Sequence, residues 1–493
     1  MGLSANIKQK TTTNVLWLFA RYGGSQLMRI TLGVIVARIL GPKNYTVWVL
    51  ITIFVCSLAT KFVTHCLPMA LIQQKDVDDA DYSAVFWAEL LIAAALAAVV
   101  VFVAPWIAAF YEQPALTDAM RVMSLTLGAN AVSAVLNARL SRNLAFKQMT
   151  IASMIAQWTS AALAVALAMS GFGLWTWVWQ QLAHDVVLFA VQAFMCRWLP
   201  AFQMRVSRLK RLFHYGWKIL AANLLGNLYN NLTGLVLGKV FPDNTLGYYD
   251  KGSQIPSNVG DSMNNAVITA LFPVFASHQD DRARELDIIR KTMRVNAFLV
   301  FPIMAGLALV AEPLIGVLLT DEWLLAAPYM LPAAILWGLY PLDCTLMQAI
   351  CAVGRSGLHL ILEIIRRIFG LACLCVAAFV IRTPMAIAWS VTIGGAFSML
   401  QAMVVSRPLF GYQLRSQMKD MLPPLLLCAA MALAVWPVSL LNLGRLTQLI
   451  LRTVVGAGVY IGLAAVMKLE AFRYTVNLIR DFFQRLSRKE REA

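Results

Sequence analysis

Long apolar runs recur along nearly the whole chain and leave little sequence between them. A membrane-spanning helix needs about 20 predominantly apolar residues, and by that criterion about 14 such runs can be drawn. The first seven fall near 13–40, 45–71, 82–110, 116–140, 146–170, 172–197 and 212–240. The second seven fall near 245–276, 288–318, 324–352, 356–381, 384–406, 421–442 and 446–468. Of the 493 residues, 60% are hydrophobic and 13% charged, whereas soluble proteins average about 45–50% apolar and about 25% charged. This excludes an ordinary soluble enzyme, a disordered chain and a secreted disulfide scaffold. It predicts an all-α polytopic membrane protein.

The formal net charge is +16. In a membrane protein such an excess is first a matter of topology, because cytoplasmic loops are enriched in Lys and Arg. With both termini inside, roughly 26 cations fall on the inner side against about seven outside, Arg445 and Arg452 among the latter. The bias supports an even span count and two cytoplasmic termini, and it calls for no nucleic-acid partner. The eight cysteines all lie in apolar runs without zinc spacing, and read as small buried hydrophobes. No cleavable signal peptide is expected, since the first apolar run is long and holds Arg21 and Arg29.

Charges inside spans carry the functional signal, because each costs at least about 2.5–3.5 kcal/mol at the bilayer centre. Arg21, Ser25 and Arg29 stand at i, i+4 and i+8, on one face of the first span. Such a face suits a wet cavity and an anionic headgroup, since arginine forks match phosphate oxygens. The competing reading is an arginine paired with Glu89 or Asp185 that pins two helices. Lys61, Lys218, Lys251, Arg294 and Arg366 extend the candidate cationic set. For Lys61, one turn before His65, snorkelling to the interface is the simpler alternative.

Two polar stripes follow helical spacing. Asn223, Asn227, Asn230 and Asn231 lie in the seventh run, and Gln254, Asn258, Asp261 and Asn265 in the eighth. They suit sugar hydroxyls equally well as interhelical hydrogen bonding. Candidate ion-coupling carboxylates are Asp261, Asp185, Glu89, Asp343 and Glu363. Glu363 and Arg367 have the favourable i, i+4 order, which would leave Arg366 as the freer cation. No metal or organic cofactor is expected, only a coupling H+ or Na+.

Transporters are often built from internal repeats. ARILGPKNYTVW at 37–48 and GKVFPDNTLGYY at 238–249 occupy equivalent first hairpins of the two halves. Both run small residue, cation, β-branched residue, bulky apolar residue, turn, aromatic. The first, continued to ARILGPKNYTVWVL, resembles the first-loop signature of the polysaccharide-transporter (Wzx-type) flippases of the multidrug/oligosaccharidyl-lipid/polysaccharide (MOP) exporter superfamily. The stretch LGYYDKGSQIPSNVGDSMNNAVITALFPVFASHQDDRARE from Leu246 is similar to the family's second signature, as is FPIMAGLALVAEPLIGVLLTDEW after it. The resemblance is nearest to the colanic-acid-exporter-like proteins and covers roughly residues 13–410. Thr46 departs from it, standing where the family usually has glycine.

The resemblance implies about 14 transmembrane helices in two pseudo-symmetric seven-helix lobes. It implies a flippase, not an enzyme, that carries an undecaprenyl-pyrophosphate-linked oligosaccharide repeat across the bacterial inner membrane by alternating access. Membrane lipids, a polysaccharide polymerase and a chain-length regulator are the implied partners. Alternatives in the same superfamily are a cation-coupled drug exporter and a lipid-linked peptidoglycan-precursor flippase. A membrane-embedded polymerase is remote, since every outer loop is short. The expected organisation is an N-lobe over 1–205, a second half opening at 206–410, two further spans over 411–468, and a basic amphipathic tail over 469–493 lying on the inner leaflet.

Overall fold

The computed structural model describes residues 31–74, 77–202, 206–241, 243–276 and 282–473. Among these residues all regular structure is helical. The chain forms two compact units, Met1–Gly247 and Tyr248–Ala493.

In the first unit the helices are α1 (Thr31–Thr64), α2 (Leu67–Gln73), α3 (Asp79–Phe110), α4 (Ala115–Arg142), α5 (Phe146–Met169), α6 (Trp175–Cys196) and α7 (Val206–Val240). Helical residues run through 31–64, but Gly41 takes φ 71° immediately before Pro42. That left-handed setting, open to glycine at no steric cost, kinks the run at the expected hairpin. Further on, Thr52–Ala59 widen to π geometry. The Thr60 hydroxyl donates to the Val55 carbonyl five residues back (3.0 Å). The start of α3 is set by a reciprocal cap: Asp78 accepts from the Asp81 N–H at 2.9 Å, and Asp81 from the Asp78 N–H at 3.2 Å.

Small side chains bring the helices together. Ala152, Ala156, Ser160, Ala164 and Ala168 recur every four residues on α5 and are all buried. Such a stripe lets α5 approach α6 closely, which is how helices associate where lipid offers no hydrophobic drive. The helix α7 packs on α1, α2 and α3, so it belongs to the first unit. The boundary therefore lies beyond α7, whereas the sequence reading opened the second half at 206.

The two repeat copies meet in this unit. The buried Thr46 hydroxyl donates to the Pro42 carbonyl (3.1 Å) and approaches the Asn244 carbonyl (3.4 Å). A Cβ on Gly247 would lie 2.5 Å from Thr46 Oγ1. The bulk that Thr46 adds at a usual glycine is thus accommodated by a glycine in the second copy.

In the second unit the helices are α8 (Thr245–Ala276, entering from the first unit), α9 (Arg282–Leu309), α10 (Ala311–Leu318), α11 (Ala327–Ala352), α12 (Ser356–Cys375), α13 (Pro384–Phe410), α14 (Leu414–Ser439) and α15 (Arg445–Val466). Its core gathers Met293 and Phe301 of α9, Leu346 of α11, Met403 of α13, Met431 of α14 and Tyr460 of α15. The chain breaks at Val310, and Arg452 serves the break. Its Nη1 donates to the Leu309 carbonyl (3.2 Å) and its Nη2 to Gln448 (2.7 Å). Arg452, counted above with the outer loops, is instead buried in α15. A guanidinium can enter a helix interface where it meets carbonyls that a broken helix leaves unpaired.

Ten helices are long and apolar enough to cross a membrane among the described residues. The expected count of about 14 is not reached by that measure. The helices α6, α7 and α8, of 22, 35 and 32 residues, have the length. They fall short in apolarity, through the amide stripes on α7 and α8 and through Gln180, Gln181, His184 and Asp185 on α6. Of the tail, residues up to 473 are described. There Glu470 pairs with Arg294 (2.6 Å) and Phe472 meets Phe298 edge-on (6.2 Å), so the tail's start rests on α9.

Substituting Gly247→Ala should overpack the repeat contact and cost about 1–3 kcal/mol, read as a lower unfolding midpoint of the purified protein. Adding Thr46→Ala should recover most of the loss. Equal losses in the single and double variants would show that the contact is slack.

Candidate functional site: charges and amides inside the helices

Arg21, Ser25 and Arg29 lie outside the described residues, and so does the side chain of Lys218 on α7. Lys61 sits half-buried on α1. His65 beyond it is engaged through Nδ1 with the Thr64 hydroxyl (2.7 Å). Lys251 on α8 is 5% exposed, and its ammonium donates to Gln254 Oε1 (3.0 Å). One member of the α8 amide stripe therefore serves a cation.

Arg294 and Arg366 are structural partners before anything else. Arg294 Nε donates to Asp420 Oδ1 (2.8 Å), and Arg290 Nε to Asp420 Oδ2 (3.0 Å). The Tyr412 hydroxyl donates to the same oxygen as Arg290 (2.8 Å). Burial first, and then Asp420, push the Tyr412 hydroxyl above its ordinary range, so it remains a donor. This knot joins α9, the loop after α13 and the start of α14.

Arg366 on α12 reaches Asp343 of α11 (3.1 Å) and Glu363 of its own helix (3.0 Å). The expectation that Arg366 is the freer cation is corrected. Its side chain is 19% exposed against 40% for Arg367, whose contact with Glu363 is the longer at 3.5 Å. The i, i+4 rule speaks for an isolated helix, and here Asp343, 23 residues away, decides the pairing.

The amides divide likewise. On α7, Asn227 and Asn231 each donate to the backbone carbonyl one turn back, of Asn223 and Asn227 (2.8 Å each). Asn230 is exposed. On α8, Asn258 is half-buried, while Asp261 and Asn265 are exposed. Asp261, an ion-coupling candidate by its place in the stripe, is thus held by no burial. Asn264, off the expected stripe, is the buried amide, and its Oδ1 has no partner among the described residues.

The carboxylates fall into distinct settings. Buried Asp185 of α6 accepts from Asn130 Nδ2 of α4 (2.9 Å), Gln181 Nε2 (3.0 Å) and His184 Nδ1 (3.0 Å). Asp343 accepts from Arg366 and from the Ser398 hydroxyl of α13 (2.9 Å). Glu363 is held by Arg366 and Arg367. Glu89 of α3 is fully buried, and no side chain among the described residues hydrogen-bonds its carboxyl oxygens. Asn130, Ser398 and the Asp420 knot were not singled out from sequence. Their partners are 55, 55 and 126–130 residues away, and no local spacing announces such pairs. Among the described residues no cluster of three His, Cys, Asp or Glu side chains is placed to hold a metal ion.

Comparison with known proteins gives a consistent picture. A family profile described as polysaccharide biosynthesis protein matches residues 35–328. The succinoglycan biosynthesis transport protein ExoT of Rhizobium meliloti (strain 1021) is 23% identical over 355 residues, 72% of each chain. The teichuronic acid biosynthesis protein TuaB of Bacillus subtilis (strain 168) is 23% identical over 380 residues, 75% of this chain and 77% of TuaB. Among solved structures, the lipid II flippase MurJ in its inward closed conformation superposes with TM-score 0.73 at 15% identity, covering 92% of this chain and 98% of MurJ. An inward-facing multidrug resistance MATE family transporter of the MOP superfamily gives 0.60 at 14% identity, covering 78% and 94%. The fold is that of these two transporter structures.

Breaking a buried ion pair leaves a charge stranded, at a cost of about 3–5 kcal/mol. Asp343→Ala should therefore destabilise the protein strongly in detergent, and Arg366→Ala added to it should restore part of the loss. Strictly additive losses in the double variant would contradict the pairing.

Proposed function

Because this chain belongs to the polysaccharide biosynthesis protein family, matched over residues 35–328, we propose that it is a flippase for a lipid-linked oligosaccharide precursor. The substrate of this reading is an undecaprenyl-pyrophosphate-linked repeat unit, moved from the inner to the outer leaflet of the bacterial inner membrane by alternating access. No bond is made or broken. The observation that carries the reading is a coincidence: the matched region contains the membrane-length helices that are too polar for lipid. Asn223 and Asn227 on α7, and Lys251, Gln254 and Asn258 on α8, fall within it. Intramembrane polar groups of this density call for a water-filled path, and amides with cations suit sugar hydroxyls and a pyrophosphate.

In this reading Arg21, Arg29, Lys61 and Lys218 of the first unit are headgroup contacts, and Lys251 of the second unit is a separate candidate for that role. Arg294 and Arg366, already committed to carboxylates, hold the helices that form the path. Either H+ or Na+ supplies the driving force, both termini are cytoplasmic, and a polymerase with its chain-length regulator receives the product. A lipid-linked peptidoglycan precursor is the second reading, favoured by the fold match to MurJ over 92% of the chain. The drug-exporter reading has the weaker fold match.

Deleting the gene in its host should make lipid-linked repeat units accumulate and surface polysaccharide disappear, with rescue by the wild type. Lys251→Ala should rescue at least about tenfold less well, the loss of one charge-assisted bond of about 1.5–3 kcal/mol, and Arg21→Ala/Arg29→Ala should do worse. Unchanged polymer and intermediates would refute the oligosaccharide assignment. Accumulated peptidoglycan precursor instead would favour the second reading.

A further inference from the structure

Glu89 is the one charged residue of α3 between Tyr82 and Phe110. Its exposure is 0%, and no side chain among the described residues hydrogen-bonds its carboxyl oxygens, which are approached by the backbone N–H of Leu67 at the start of α2. Asp185, Asp343 and Asp420 each accept two or more bonds. An ionised carboxylate in such a place carries a penalty of several kcal/mol, whereas a neutral carboxylic acid carries only that of an underused polar group.

The surroundings are as unusual as the side chain. Glu89 faces Cys66 and Leu67, where the membrane-crossing chain breaks between α1 and α2. Cys66 leaves helical geometry there (φ −94°, ψ −88°). On the other side α7 closes on the break, and a Cβ on Gly216 would lie 2.5 Å from the Cys66 carbonyl oxygen. The π segment Thr52–Ala59 lies upstream in the same run, so two departures from α geometry occur close together. Such irregularities are tolerated in membrane helices where they line a cavity, and they gather at functional sites.

Several other charged groups on the elements packed against α3 have described positions of their own. Lys61 and His65 belong to α1 and its end. On α4, Arg121 pairs with Asp118 (3.5 Å), Arg139 with Asp79 (2.5 Å), and Arg142 with the carbonyls of Leu71, Ile72 and Gln74. On α7, Lys210 is exposed and Lys239 pairs with Glu112 (3.2 Å). The side chains of Arg208, Arg211, His214 and Lys218 on α7 lie outside the described set, as do Arg21 and Arg29.

We propose that Glu89 is the proton-binding group that couples this transporter to the proton gradient, carried as a neutral carboxylic acid at the α1–α2 break. In the step, the carboxyl O–H bond breaks as water enters the break, and the proton passes to that water as hydronium. Reprotonation from the opposite side reverses it, with no change of oxidation state. The inference rests on the flippase reading and selects H+ as its coupling ion.

The test uses the full chain in lipid nanodiscs and proteoliposomes, with Glu89→Gln and Glu89→Ala. Glutamine has the shape of the neutral acid, so Glu89→Gln should keep the wild-type unfolding midpoint to within about 1–2 °C, while Glu89→Ala loses packing. The infrared spectrum at neutral pH should show a protonated-carboxyl band in the wild type that is missing from Glu89→Gln. With lipid-linked precursor extracted from the deletion strain as probe, an imposed pH gradient should accelerate flipping by the wild type but not by Glu89→Gln. Absence of a Glu89-dependent carboxyl band overturns the proposal. So does a destabilised Glu89→Gln variant rescued by neutralising Arg21 or Arg29, which would mark an ion pair, and so does retained gradient dependence in Glu89→Gln. The infrared result needs no substrate, so it stands apart from any failure of the flippase reading.

Discussion

A charge in the bilayer interior must be paired, wetted or neutralised, and the organisation of this chain follows from that requirement. The chain keeps a number of arginines, lysines and carboxylates inside helices that are otherwise apolar. The described ones are not scattered. Asp420 gathers Arg290, Arg294 and Tyr412 where α9 and α14 meet. Asp343 joins α11 to α12 through Arg366 and to α13 through Ser398. Asp185 ties α6 to α4 through the Asn130 amide. Each knot sits where hydrophobic burial, with lipid as solvent, gives little reason for helices to choose one neighbour over another.

The backbone obeys the same rule. Where a membrane helix breaks, freed carbonyls and N–H groups must find partners or water. At Val310 the partner is Arg452, a cation admitted to a helix interface because the broken helix offers it a carbonyl. At the α1–α2 break the neighbour is a buried glutamate, Glu89, approached by the backbone N–H of Leu67. One break is met by a cation and the other by a carboxyl group.

Much of the architecture was legible in the apolar pattern. The run read at 146–170 is the helix Phe146–Met169, and that read at 82–110 is Asp79–Phe110. Length and hydrophobicity in a membrane are local properties, so a local reading recovers them. The two loop signatures were also legible, though not that they touch through Thr46 and Gly247. The pairings were not legible. Arg367 has the better local spacing to Glu363, yet Arg366 is the better buried because Asp343 reaches it from another helix. Likewise a domain boundary at 206 would part α7 from the rest of the first seven runs, yet it packs on the helices before it. Packing assigns partners over long stretches of chain, and one sequence holds no record of packing beyond its own periodicity.

The polar helices that score poorly as spans are the ones a transporter of a sugar-bearing headgroup would need, and the family match spans them. The most direct test is reconstitution. Purified protein is placed in liposomes with lipid-linked precursor extracted from a deletion strain, and the sugar moiety is probed from outside by a membrane-impermeant oxidant. The flippase reading predicts that the protected inner-leaflet pool becomes reactive in liposomes holding the protein and stays protected in protein-free ones. Equal protection in both, with the protein folded, would contradict it.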